Sequence, residues 1–138
     1  MANPRRRARI VALQALYESD LSHHDAIAAI ERLAVEENLT ESQKAFAREL
    51  VEGVLGDREA IDDIIRRAAP QWPLEQISAI DRNILRLAIR EILVNNGAPV
   101  KAAINEAVEL AKSFGSDNSA KFVNGVLGSV SLSLAGDA

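Results

Sequence analysis

Four arginines lie within the first nine residues of this 138-residue chain, at Arg5, Arg6, Arg7 and Arg9. A guanidinium group binds phosphate through several N–H donors, so a cluster of this kind is typical of a surface that binds nucleic acid. Cations at the start of a helix oppose the helix dipole, and these four spread over more than half of the helix circumference. The cluster predicts a phosphate-binding surface, with a solvated or disordered basic tail as the alternative.

A second group of arginines recurs at every fourth residue, at Arg82, Arg86 and Arg90. This spacing places the three side chains on one face of a helix. The face is either a second basic surface for the same ligand or a solvated face whose arginines pair with neighbours such as Glu91. Taken alone, the row favours the solvated face, and the presence of two basic faces in one chain shifts the balance toward the first interpretation.

Aromatic side chains could stack on unpaired bases, which is how single-stranded RNA is usually recognised. The candidates are Tyr17 and Phe122. Tyr17 falls in the apolar arc of the first helix, where core packing is a competing role. Phe122 lies at the border of the apolar stripe of the last helix, so we expect it to be half-exposed.

Catalytic chemistry finds little support in the sequence. There is no cysteine, and the adjacent His23 and His24 diverge on a helix, so they cannot share a metal ion. The chain has no P-loop, no glycine-rich nucleotide fingerprint and no nucleophile elbow. We therefore predict a non-enzymatic protein with no cofactor and no metal, whose histidines lie on the surface.

The net charge of −4 is unevenly distributed. Residues 1–9 carry four arginines and no acid, whereas residues 10–63 carry four basic residues and thirteen acidic ones. This separation favours one local anion-binding patch over a protein that coats any polyanion. No apolar run approaches the length of a membrane helix, and the basic N-terminus lacks a cleavage site, so a cytoplasmic protein is expected.

Apolar residues recur at helical spacing along the chain, and no segment alternates as a strand does. The predicted fold is all-α, with about seven helices in two helical subdomains around a shared core. The pattern predicts helices over about 4–21, from Asp25 to Asn38, from a capping box at Thr40–Gln43 onward, over about 79–95 and 99–114, and from about 116–119 to the end. The third pattern runs to Ile65, either as one helix bent near Gly53 and Gly56 or as two helices.

Two prolines, Pro70 and Pro73, interrupt the helical pattern and mark the expected boundary within a single domain of residues 1–138. The N-terminal part then covers about 1–70 and the C-terminal part about 74–138. Trp72 is predicted to fill the seam between them. Asn95-Asn96-Gly97 is expected to end the fifth helix, and Gly125 to let the last helix approach another closely.

Two segments carry a resemblance to a known family. INEAVELAKSFG from Ile104 to Gly115, followed by KFVNGVL from Lys121 to Leu127, resembles the signature of the NusB transcription antitermination family. The similarity extends over the N-terminal arginines, the QALY segment that ends at Tyr17, and the regions 46–53 and 81–91. It covers nearly the whole chain.

The resemblance implies an all-α protein that binds the boxA element of ribosomal RNA leader transcripts together with NusE, a small-subunit ribosomal protein. Such proteins join the RNA polymerase elongation complex through other Nus factors, and some form homodimers. By similarity, RNA contacts are expected at Arg5, Arg6, Arg7, Arg9, Tyr17, Arg86, Asn118, Lys121 and Phe122, and NusE contacts at Asp81 and Arg82. Asn118 stands where an acid is common in the family, which removes a negative charge beside the expected phosphates.

One alternative function stays open at this point. The chain could be a helical protein–protein adaptor that uses its basic face on an acidic partner protein. No membrane association is expected in either case.

Overall fold

The computed structural model describes residues 4–94 and 99–136, and within these ranges it contains seven α-helices and no strand. The all-α prediction is confirmed. The helices are α1 (Pro4–Ser22), α2 (Ala26–Glu36), α3 (Glu41–Gly56), α4 (Arg58–Ala68), α5 (Ala79–Val94), α6 (Val100–Phe114) and α7 (Ser119–Gly136), with a short 3₁₀ helix, Leu74–Gln76, before α5. The predicted end of α5 at Asn95-Asn96-Gly97 lies outside the described residues. No helix in the described ranges is long and apolar enough to cross a membrane.

The chain divides into two compact units, of which the first ends at Gly56 and the second begins at Asp57. The long third pattern of the sequence is therefore two helices. The boundary predicted at Pro70–Pro73 moves to this junction, because α4 packs against α5 and α7 of the second unit. Trp72, which was predicted to fill a seam, is 54% exposed, so that prediction is wrong.

The first unit is a three-helix arrangement in which α1 packs against both α2 and α3. Its helix starts follow the sequence signals. The Asp25 carboxylate accepts a hydrogen bond from the Ile27 N–H at 3.0 Å and caps α2. Thr40 and Gln43 form the predicted capping box before α3, with reciprocal side-chain bonds of 2.9 and 3.1 Å.

The second unit contains α4 to α7, and α6 packs against both α5 and α7. Its core contains Ile84, Leu85 and Ile89 of α5 and Val123 and Leu127 of α7, all with no exposed surface. The helical pattern also places several apolar residues inside that are instead exposed in the last turns of their helices. They are Leu21, Leu55, Leu93 and Val94.

Candidate nucleic-acid interface

The arginine end, defined as Arg5, Arg6, Arg7 and Arg9, occupies the first two turns of α1. Arg5, Arg6 and Arg7 are exposed and Arg9 is partly buried, whereas Ala8 between them is completely buried. The cluster is therefore an ordered part of a packed helix, and the alternative of a disordered tail does not hold for these residues. Their exposure leaves three cations facing solvent within one turn of each other.

An aromatic ring lies against two of these arginines. The guanidinium carbon of Arg5 is 4.6 Å from the centroid of the Phe46 ring, and that of Arg9 is 5.4 Å from it. Both distances are in the range of a cation–π interaction. The helical spacing of Phe46 with Leu50 and Val54 predicts that it points into the core, but Phe46 is only partly buried and packs under the arginine end.

Arg7 has a structural partner as well. Its Nη2 donates to the backbone carbonyl of Glu37, the residue that caps the C-terminus of α2. The next residue, Asn38, has a positive φ of 54°, a conformation that asparagine tolerates well. A cation at this place satisfies a terminal carbonyl and complements the negative end of the helix dipole. Arg7 therefore joins α1 to the end of α2.

The remaining cations of the first unit are paired with acids. Lys44 lies 2.7 Å from Glu31, and Arg32 lies 2.5 Å from Glu18. A side-chain hydrogen bond to Glu31, followed by the charge of that carboxylate, raises the pKa of Lys44 above its ordinary value. The same two causes, from Glu18, raise the pKa of Arg32. Carboxylates therefore neutralise these cations.

The expectation that Arg86 contacts RNA is contradicted by its position. Its side chain is 4% exposed, and Nε and Nη2 donate to the two carboxylate oxygens of Asp62 at 2.8 and 3.1 Å. The remaining nitrogen, Nη1, donates to Asn83 Oδ1 at 3.1 Å. Since Asp62 on α4 is buried as well, this bidentate pair is a structural link between α4 and α5.

The other two arginines of that row are also engaged within the second unit. Arg82 Nη1 donates to the carbonyls of Leu74 and Ile77, which holds the 3₁₀ segment against α5. Arg90 pairs with Asp57, the residue before α4, at 2.6 Å. The row of Arg82, Arg86 and Arg90 is therefore not a basic surface, and the expected NusE contact of Arg82 has a competing structural role.

A groove of about 670 Å³ lies within the second unit, between the segment that precedes α5 and the first turns of α7. It brings together three of the predicted RNA-contacting residues and one predicted NusE-contacting residue. Among its lining residues are Trp72, Asp81, Asn118, Lys121, Phe122 and Gly125. The rings of Trp72 and Phe122 meet edge to face, with centroids 6.0 Å apart. Phe122 is partly buried, as its position at the border of the stripe predicted.

Asp81 contributes a buried acceptor to this groove. The residue is 8% exposed, and its Oδ1 accepts no hydrogen bond from the part of the chain that the structure describes. Its own N–H donates to Ser78 Oγ at 3.2 Å, which fixes the start of α5. A hydrogen bond stabilises a buried carboxylate oxygen, so this atom could accept a hydrogen bond from a molecule that enters the groove.

The loop before α7 is fixed by a tight turn. Ser119 is buried, and its Oγ accepts a hydrogen bond from the Ser116 N–H at 2.9 Å. A Cβ at Gly115 would lie 2.4 Å from Ser119 Oγ, so this position requires glycine because of the close approach. The turn thereby positions Asn118 directly before the helix that carries Lys121 and Phe122.

Three further predictions concern the histidines, Tyr17 and Gly125. His23 and His24 are exposed, as expected. Tyr17 is partly buried, which is compatible with either role considered for it. Gly125 does not mediate a close helix contact, because a Cβ there would meet nothing within 4 Å; it leaves open space along the groove instead. Among the described residues, no group of three or more histidines or acids could hold a metal ion.

Sequence reasoning missed two residues of these surfaces. Phe46 was assigned to the core by its helical spacing, and no local signal connects it with arginines that lie about forty positions earlier. Trp72 was assigned to a buried seam. Its position between two prolines, where a chain usually runs over the surface, was the signal that could have indicated an exposed ring.

Comparisons with known proteins agree with the fold. A model of the NusB family matches residues 6–131. The transcription antitermination protein NusB of Dehalococcoides mccartyi (strain CBDB1) is 53% identical over 135 residues, covering 98% of this chain and 94% of the relative. The structure of T. maritima NusB matches with a TM-score of 0.86 and 37% identity, covering 94% of this chain and 92% of that one.

A second solved structure, of the antitermination factors NusB and NusE in complex with dsRNA, matches with a TM-score of 0.86 and 26% identity. The match covers 96% of this chain and 99% of the other. Family model, sequence relatives and solved structures thus lead to one assignment. The chain belongs to the NusB family.

Proposed function

We propose that this chain is a non-enzymatic RNA-binding transcription antitermination factor. It binds boxA RNA of ribosomal RNA leader transcripts together with NusE, and it acts on the RNA polymerase elongation complex through other Nus factors. The observation that carries the proposal is the arginine end of α1, where Arg5, Arg6 and Arg7 are exposed on an ordered helix in an otherwise acidic unit. Exposed guanidinium groups bind phosphates through several N–H donors and their positive charge.

The family relatives support this function. The 53% identical relative is a transcription antitermination protein, and the matching solved complex contains NusB, NusE and double-stranded RNA. These relatives support the proposal that this chain binds RNA and NusE. The boxA sequence, the ribosomal RNA leader and the polymerase complex come from the family resemblance.

The groove of the second unit is proposed as the place where bases are recognised. Phe122 offers a partly exposed ring for stacking, and Lys121 and Asn118 offer donors beside it. Asp81 is assigned to NusE, because a buried, unsatisfied carboxylate oxygen repels phosphate and attracts the N–H groups of a protein. Arg86 is not part of the proposed RNA site, and Arg82 supports the wall of the groove.

The test is a titration of boxA RNA and a scrambled RNA of equal length, with and without NusE, over a range of salt concentrations. We expect affinity to fall steeply as salt rises, and boxA to be preferred when NusE is present. Replacing Phe122 by alanine should reduce the preference for boxA. Affinity that is independent of salt, or equal binding of both RNAs in the presence of NusE, would contradict the proposal and favour an adaptor that uses its arginines on an acidic protein.

A further inference from the structure

The arginine end contains two side chains that share one aromatic ring. Arg5 and Arg9 are four residues apart on α1, so their side chains lie on the same face, one turn from each other. Like charges at this spacing repel, and both also oppose the positive end of the helix dipole. Phe46 on α3 lies within 5.4 Å of both guanidinium carbons. The negative face of its ring offsets part of this electrostatic cost.

The ring is carried by a rigid part of the first unit. The helices α1 and α3 pack directly against each other. Ala8 and Ala12 of α1 and Ala47 and Val51 of α3 have no exposed surface, so small side chains in the interior allow the two helices to approach closely. Phe46 therefore presents its ring from a fixed backbone position and not from a loop.

A contact with a ring differs from a salt bridge in what it leaves available. A carboxylate uses the N–H donors of a guanidinium, as Asp62 does with Arg86. A cation–π contact uses none of them, so Phe46 does not itself occupy the N–H groups of Arg5 and Arg9. The ring can restrict where a guanidinium lies without competing for it.

We infer that Phe46 is a positioning residue for RNA binding. Its ring holds Arg5 and Arg9 over a common point and so reduces the conformational freedom that the two long side chains lose when they bind phosphate. This inference rests on the proposed function, since it names a residue that acts through the arginines and does not itself contact RNA.

The test replaces Phe46 with mono-, di- and trifluorinated phenylalanine, which withdraw charge from the ring face stepwise while largely keeping its shape. The free energy of binding boxA RNA should become less favourable in proportion to the number of fluorines. We expect the trifluorinated protein to bind about 2- to 5-fold more weakly, with little change in Tm. In a protein that also carries Arg5→Ala and Arg9→Ala, the fluorine series should have no effect.

Two further substitutions separate positioning from packing. Phe46→Leu fills much of the same space without a ring face and should bind RNA as weakly as the trifluorinated protein, whereas Phe46→Trp should retain wild-type affinity or exceed it. If affinity stays constant across the fluorine series while Arg5→Ala weakens RNA binding, Phe46 serves packing alone and the positioning role is excluded, although the proposed function stands. If Arg5→Ala and Arg9→Ala leave RNA binding unchanged, both proposals fail at this surface.

Discussion

The two rows of arginines differ in what lies beside them. At the arginine end of α1 a phenyl ring lies against Arg5 and Arg9, and Arg5, Arg6 and Arg7 are exposed. Along α5 the partners are carboxylates and backbone carbonyls, and Arg86 is buried. The row on α5 has the regular spacing of one helix face and yet is not a basic surface, so spacing alone does not identify a nucleic-acid surface. Burial in a bidentate pair, as at Arg86, removes an arginine from phosphate binding.

The comparison leads to opposite expectations for mutation in the two rows. Removing an arginine of the α5 row should change stability and leave the salt dependence of RNA binding unchanged. Removing an arginine from the arginine end should change the salt dependence of RNA binding and leave stability unchanged. Arg7 is intermediate, because it is exposed and also bonded to the end of α2.

The largest effect is expected for Arg86→Ala. The substitution leaves the buried carboxylate of Asp62 without its bidentate partner, which should reduce the free energy of unfolding by about 3–5 kcal/mol. Urea denaturation measures it. Arg90→Ala is the matched control, since its pair with Asp57 is more exposed and should contribute about 1 kcal/mol or less. Equal losses in the two variants would show that burial does not determine how much each pair contributes to stability.

A smaller loss of stability is expected for Arg7→Ala. Its hydrogen bond to the Glu37 carbonyl and its charge at the end of α2 should together contribute about 1 kcal/mol. Thermal unfolding of the variant beside Arg6→Ala measures the difference, because Arg6 occupies the neighbouring position of the same helix. Arg7→Ala with a wild-type Tm would show that this contact contributes nothing to stability.

The smallest effect is expected for Asn118→Asp. An acid in the groove beside Lys121 would add a negative charge where we expect phosphates and bases to approach, and should weaken boxA binding about 2- to 5-fold. Fluorescence anisotropy at low salt resolves such a change. Asn124→Asp on α7 adds the same charge at an exposed position that does not line the groove, and serves as the control. A similar loss in both variants would exclude a local role for Asn118.

Features that depend on neighbours in sequence were predictable. The caps at Asp25 and at Thr40–Gln43 join residues two or three positions apart, and both form as expected. The helix count followed from apolar spacing. The groove was anticipated only through the family resemblance, since no spacing rule places Asp81 near Phe122.

Features that depend on distant pairs were not predictable from patterns. The acid that pairs with Arg86 lies 24 positions earlier in the chain. The sequence near the α5 row therefore shows only the spacing of an exposed face and not the buried pair. For the same reason, the contact of Phe46 with the arginine end was not predictable. The division between Gly56 and Asp57 was missed because the packing of α4 is decided by the helices that follow it, whereas the prolines gave the stronger local signal.

The most direct test of the central claim is the salt dependence of boxA RNA binding by a protein that carries Arg5→Ala and Arg6→Ala. The matched control carries Arg32→Ala and Arg48→Ala, which remove the same charge from the same unit at positions that are paired with acids. If each of the two exposed arginines holds one phosphate, the slope of log affinity against log salt should become shallower by about 1.4. The control slope should match the wild type. Identical slopes in all three proteins would contradict the assignment of the arginine end as the phosphate-binding surface.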